Sequence, residues 1–98
     1  MTLTLLDMVK TALRVRNDVF DDTEIVPLIQ AAKKDMQVAG VTRVRDDDPL
    51  IARAVIAYVK AHFGYDNPEA ERFERIYETL KGKLTQISAY AGKGRGNG

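Results

Sequence analysis

From Leu50 to Phe63 the chain is apolar around almost the whole circumference of a helix, interrupted only by Arg53, Lys60 and His62. A helix of that kind has no polar face to turn to water, so the rest of the chain must surround it. Its ends are marked. Asp48 is a natural N-cap, Pro49 takes the first helical position where a missing amide costs nothing, and Gly64 is a stop. Ninety-eight residues, 45% of them hydrophobic, supply one such core and no second domain; a chain of this size buries roughly 60–70% of its unfolded surface. Cysteine is absent, which excludes disulfides, thiolate metal sites and thiol nucleophiles and leaves packing to hold the fold. The opening Met1-Thr-Leu-Thr-Leu-Leu-Asp7 has no basic stretch ahead of an apolar run. No window approaches the ~20 apolar residues of a membrane span. The expectation is a soluble, unprocessed protein with no membrane partner.

Three further segments have helical periodicity and can form the surrounding wall. Thr4 with Asp7 three residues on approximates a capping box, and Leu5, Met8 or Val9, Ala12 and Leu13 then recur at helical spacing, predicting a short helix over about 5–14. Asp21, Asp22 and Thr23 are alternative caps for a second helix with Ile25, Leu28, Ile29, Ala32 and Met36 on one side and Gly40 as its stop. Pro27 lacks the amide a helix expects after its first turn, which predicts a late start or a kink. Asn67 as cap and Pro68 in first position open a long fourth helix running to about Tyr90, with Ala70, Phe73, Tyr77, Leu80, Leu84 and Ile87 at spacings of three and four. That seam spans about two and a half heptads, short of the three to four that argue a coiled coil, so packing within the domain and packing between subunits both fit it. Gly82 inside it costs about 1 kcal/mol relative to alanine and is a candidate border between domain and arm. Val41 to Asp48 is the one long irregular connection, in which Val41 and Val44 are candidates for a brief extended piece. The predicted fold is all-α: a small four-helix bundle over residues 1–90 with a long C-terminal helix, then a flexible, basic, glycine-rich tail over 91–98.

The tail has Gly92, Gly94, Gly96 and Gly98 alternating with Lys93, Arg95 and Asn97. Glycine loses more backbone entropy on ordering than any other residue, so a partner is needed to order it. Residues 1–80 carry 11 basic and 14 acidic side chains, whereas Lys81, Lys83, Lys93 and Arg95 face no acid after residue 80. A mildly acidic body with a basic end points to docking on another macromolecule.

No residue set argues for catalysis or a cofactor. Asp46, Asp47 and Asp48 lack the alternating ligands, turn glycine and distal acid of a calcium loop. His62, the single histidine, sits near a helix end where a protonated ring complements the dipole, and no serine or acid beside it in sequence completes a catalytic set. The tail glycines follow a helix and precede none, unlike a phosphate-binding loop. The second and third helices are too far apart for a helix-turn-helix, and the third is apolar where base-reading side chains belong. Tyr58, Phe63, Tyr65, Phe73 and Tyr77 form an aromatic set suited to joining the third helix to the fourth.

Two stretches together resemble the small head-tail connector (adaptor, head-completion) proteins of long-tailed bacteriophages and prophages. One is Leu5-Leu-Asp-Met-Val-Lys-Thr-Ala-Leu-Arg-Val-Arg16 with Asp21-Asp22 and Ile25-Val-Pro-Leu-Ile-Gln-Ala-Ala32. The other is Ala54-Val-Ile-Ala-Tyr-Val-Lys-Ala-His-Phe-Gly64 with Asn67-Pro-Glu-Ala-Glu-Arg-Phe-Glu-Arg-Ile-Tyr77 and Leu80-Lys-Gly-Lys-Leu84. The resemblance implies a structural, non-enzymatic virion component. Such a protein assembles as a ring, commonly a dodecamer, under the portal after DNA packaging, extends the channel for double-stranded DNA, and links the filled head to a downstream stopper or tail-completion protein. It would lie at the head-tail interface of the virion, and in the host cytoplasm during assembly. On this reading Lys81, Lys83, Tyr90, Gly92, Lys93, Gly94, Arg95 and Gly96 are the portal-interface candidates. Arg43, Arg45, Asp46, Asp47 and Asp48, with opposite charges in one loop, are candidates for contacts around the ring, a solvated loop being the alternative. The other functional class is a small nucleic-acid-binding packaging or regulatory subunit, for which Lys93 and Arg95 would be the phosphate contacts.

Overall fold

The computed structural model describes residues 4–64 and 67–91. Five α-helices follow one another: α1 (Leu5–Leu13), α2 (Val26–Ala39), α3 (Pro49–His62), α4 (Ala70–Thr85) and the short α5 (Ser88–Ala91), with one π turn at Asp21–Ile25 leading into α2. Among the described residues there is no strand, and the stretch from Val41 to Arg45 is irregular although Val41 itself is fully buried. The all-helical expectation holds, and α3 stands where its composition puts it. Ile51, Ala52, Ala54, Val55, Ala57, Val59 and Ala61 are all buried, and α1, α2 and α4 pack on it from different sides. Four of those residues are alanines, which leave room for the larger side chains of the wall: Val9, Ile29, Met36, Tyr77 and Leu84.

The starts and stops follow local chemistry. Thr4 and Asp7 form the reciprocal capping box, with the Asp7 amide donating to Thr4 Oγ1 at 3.0 Å and the Thr4 amide to Asp7 Oδ2 at 3.3 Å. Asp48 Oδ1 accepts from the Leu50 and Ile51 amides at 2.8 and 3.3 Å, capping α3 with Pro49 inside its first turn. Gly40 closes α2 at φ 116°, a backbone conformation glycine adopts without strain. Pro27 produces the late start. Before it the amides of Ile25 and Val26 reach back five residues, to Phe20 and Asp21, and the regular helix begins only at Val26. The wide turn relieves the clash that the proline ring makes with the carbonyl four residues earlier. None of Asp21, Asp22 or Thr23 caps this segment; instead Asp21 is drawn to Lys10 of α1, at 3.1 Å.

The long C-terminal helix is not formed. Asn67 Oδ1 accepts from the Glu69 amide at 3.0 Å, but Pro68 and Glu69 stay in a turn and the helix opens at Ala70. The Nδ2 of the same side-chain amide donates to the Lys60 carbonyl at 2.6 Å, which ties the start of α4 to the end of α3. At the other end α4 stops at Thr85. The Thr85 hydroxyl donates to the Gly82 carbonyl at 2.7 Å, and the amides of Gln86 and Ile87 reach back only three residues, tightening the last turn before α5 turns away. Of the two packings open to its seam, α4 takes the one within the domain: Tyr77 and Leu84 are buried in the core it shares with α3, with Phe73 and Leu80 half-buried beside them. Leu84 and Ala91 are buried beyond Gly82, so the body continues past that glycine.

Two substitutions test this arrangement. Val55→Asp places an unpaired charge at a fully buried position, with an expected cost of about 4 kcal/mol, enough to abolish a cooperative melt in a domain of this size. Gly82→Ala meets no atom within 4 Å of the new Cβ and should raise stability by about 0.5–1 kcal/mol, read as a higher denaturation midpoint in urea.

Candidate functional site

One portal-interface candidate, Tyr90, meets the ring-contact loop at one end of the bundle, where the Val41–Asp48 connection, the start of α3 and α5 come together. The Tyr90 carbonyl accepts from the Thr42 and Arg43 amides at 2.8 and 3.0 Å and from the Thr42 hydroxyl at 3.2 Å. The Tyr90 hydroxyl donates to Asp48 Oδ1 at 3.1 Å, the same oxygen that caps α3. That hydrogen bond, followed by burial, pushes the Tyr90 phenol above its ordinary value. Main chain and side chain of one residue thus fasten the end of the described chain to the loop and to the central helix. Exposed apolar side chains, Leu50 at 39% and Ile87 at 40%, lie within two and three residues of Asp48 and Tyr90.

Among the described residues the loop charges all have partners except Arg43, whose backbone is held but whose side chain is exposed. Asp46 pairs with Lys33 of α2, Asp47 with Arg45 at 3.1 Å, and Asp48 caps α3. The three consecutive acids therefore diverge to three different partners. Among the described residues no group of three His, Asp or Glu is placed to hold a metal ion.

Lys81 and Lys83 separate. Lys83 is exposed, whereas Lys81 lies between Asp35 of α2, at 2.8 Å, and Glu78, at 3.2 Å. Burial by itself pulls the Lys81 ammonium down, but its hydrogen bonds to Asp35 and Glu78 outweigh that and leave it raised. Asp35 also accepts from the Tyr77 hydroxyl at 2.6 Å. The bonds from Lys81 and then from Tyr77 hold the Asp35 carboxyl below its ordinary value, while burial, followed by the bond to Asp35, drives the Tyr77 phenol well above its own. This trio is a clamp between α2 and α4, which sequence reasoning missed because its members lie more than forty residues apart. The residues Gly92, Lys93, Gly94, Arg95 and Gly96 lie outside the described residues.

The aromatic set divides as well. Tyr58 stacks edge-on against Tyr77 with centroids 5.0 Å apart, joining α3 to α4, but Phe63 turns to Phe20 at 5.7 Å, ahead of α2. Phe73 takes Lys60 and Arg72 over its ring at 4.6 and 4.7 Å, and Tyr65 lies outside the described residues. His62 Nε2 sits 3.1 Å from Glu74 Oε1, a side-chain contact between α3 and α4.

The arrangement is that of a small all-helical interaction domain: a closed core, grooves that are shallow and open, and polar networks given over to fastening elements together. The chain belongs to the phage connector protein family, whose model matches residues 5–91. The family match spans every described helix and gives the chain a structural connector role in a phage particle. No curated protein and no solved structure matches it significantly. No described helix is long and apolar enough to cross a membrane.

The clamp sets a pH dependence. Asp35 has a folded value below its unfolded one, so its contribution is present above pH about 4 and is lost as pH falls through the folded value. Tyr77 has a folded value above its unfolded one, so its contribution is present below pH about 10 and declines as pH rises further. Melts recorded against pH should show both limbs. Asp35→Asn should make the acid limb shallower, with Asp18 still contributing to it, and Tyr77→Phe should make the alkaline limb shallower, with Lys81 and Tyr90 still contributing, while costing about 1 kcal/mol at neutral pH.

Proposed function

We propose that this connector assembles as a ring against the portal, extends the DNA channel and passes the filled head on to a stopper or tail-completion protein. The observation that carries this reading is the fastening of Tyr90 to Thr42, Arg43 and Asp48. It holds the end of the described chain, up to Ala91, at the end of the bundle that carries Leu50 and Ile87, and we assign residues 92–98, which follow it, to a docking arm. Lys93 and Arg95 supply charges for acidic groups of the portal, and the alternating glycines permit close backbone approach or an added strand. Each contact is small and partly polar, so stability comes from many copies engaged at once through effective concentration. Among the charged candidates, Arg43 and Lys83 are exposed and have no ion pair among the described residues, and they are assigned to contacts outside the subunit.

The test uses the full chain and a version ending at Ala91, each mixed with purified portal, with the mass of the products measured. The full chain should bind as a ring of defined mass. The shortened chain should melt within about 2 °C of the full one, since a change well below 1 kcal/mol is expected, and should bind portal at least tenfold more weakly. High salt should weaken binding of the full chain by screening Lys93 and Arg95. Undiminished portal binding by the shortened chain would remove the arm from the mechanism. Loss of DNA affinity in its place would favour the nucleic-acid-binding subunit.

A further inference from the structure

Helix α4 is electrically two-sided about its buried seam. Glu71, Glu74 and Glu78 fall on the flank that faces His62 and α2, each engaged within the chain. On the other flank Arg72, Arg75 and Lys83 join Arg53 of α3 around an open groove of about 450 Å³ whose floor includes Ile76 and Leu80. Arg72 is paired with Glu69 and Arg75 lies 4.0 Å from Glu71, while Arg53 and Lys83 have no ion pair among the described residues. No acid lines the groove. A basic groove with a partly apolar floor calls for an occupant that is acidic and carries apolar side chains.

The same chain presents such an occupant elsewhere. The turn from Asn17 to Glu24 holds Asp18, Asp21, Asp22 and Glu24 and no base. Asp18 and Asp21 are fastened to Lys10, at 2.7 and 3.1 Å, which keeps the turn in shape. Asp22 and Glu24 are exposed and have no ion pair among the described residues. Beside them Val19 is 68% exposed and Phe20 37%, two of the five large apolar side chains left on the described surface. Val19 and Phe20 match the apolar floor, and Asp22 and Glu24 match the basic rim.

We propose that the acidic Asn17–Glu24 turn of one copy docks in the α3–α4 groove of a second copy, with Asp22 and Glu24 against Arg53, Arg75 and Lys83 and Val19 and Phe20 over Ile76 and Leu80. The turn packs on α1 and α2 of its own subunit, whereas the groove is built from α3 and α4, so donor and acceptor surfaces differ. A two-fold contact through the groove would set cations against cations. A contact between unlike surfaces is heterologous, and such contacts repeat from copy to copy and close into a ring when the rotation permits. This inference rests on the ring reading above and supplies the contact that builds it. Exposed ion pairs are individually weak and screened by salt, so the contact forms at high local concentration.

Sedimentation of the full chain at about 1 mM, the order of effective concentration on a templating surface, tests it. Two variants are altered at exposed positions, Asp22→Lys with Glu24→Lys, and Arg75→Glu with Lys83→Glu. Wild type should self-associate in low salt, and each variant alone should associate at least tenfold more weakly. An equimolar mixture of the two should recover association, because each reversed surface then meets its complement. Wild type that remains monomeric, variants that associate as wild type does, or a mixture that stays apart would each overturn the contact. So would loss of duplex DNA retention by the groove variant with self-association unchanged, which would give the groove to phosphate. Portal binding, measured separately as above, distinguishes the outcomes: a failed contact with intact portal binding leaves the connector reading in place, and intact self-association without portal binding removes the portal and keeps the contact.

Discussion

Everything in this domain depends on burying α3. A helix apolar on nearly every side is stable in water only when surrounded, and α1, α2 and α4 are each amphipathic in the way a surrounding wall must be. The alanines at 52, 54, 57 and 61 keep the centre narrow, so that the bulk needed to fill the interior comes from the wall helices, with Met36 and Tyr77 among the largest fully buried side chains. Packing holds the fold without help from disulfides. It leaves polar and charged groups free to fasten elements at their ends, as Lys10, Asp48 and Asn67 do.

Those fastenings connect stability to function. Asp48 starts the central helix and at the same atom receives Tyr90 from the end of the described chain. The connection that looked merely long and irregular is therefore the seat on which α5 rests, through Thr42 and Arg43. A connector needs a rigid body and surfaces that meet copies or neighbours in a set orientation, and a bundle whose ends are tied in this way supplies both. The Asp46, Asp47 and Asp48 carboxylates each have a partner within the subunit, whereas Arg43 in the same loop, Arg53 and Lys83 beside the α4 groove, and Asp22 and Glu24 of the Asn17–Glu24 turn have no ion pair among the described residues.

Much of the fold was legible from residue order alone. Asp48-Pro49, the Thr4–Asp7 box and Gly40 mark helix limits because capping depends on atoms within three or four residues of each other. The seam from Phe73 to Leu84 was legible as one buried face for the same reason, since helical periodicity is local. The end of α4 was not. Its pattern continues through Ile87, but the hydrogen-bonding of Tyr90 to a loop forty-eight residues earlier draws the chain out of line. Of the candidate site, Tyr90 and the Arg43–Asp48 loop were singled out from sequence as separate surfaces, and only folding put them in contact.

The sequence by itself determined that the protein is helical, that one apolar helix lies at its centre, and where most helices begin, because those outcomes follow from periodicity and from capping between near neighbours. The tertiary structure alone decided which charges are spent inside the molecule. Lys81 and Lys83 are two residues apart and look alike in sequence, yet one closes a clamp with Asp35 and Tyr77 and the other faces solvent. The physical reason is that an ion pair depends on distance in space, and residues forty or more positions apart acquire that distance only when the helices pack.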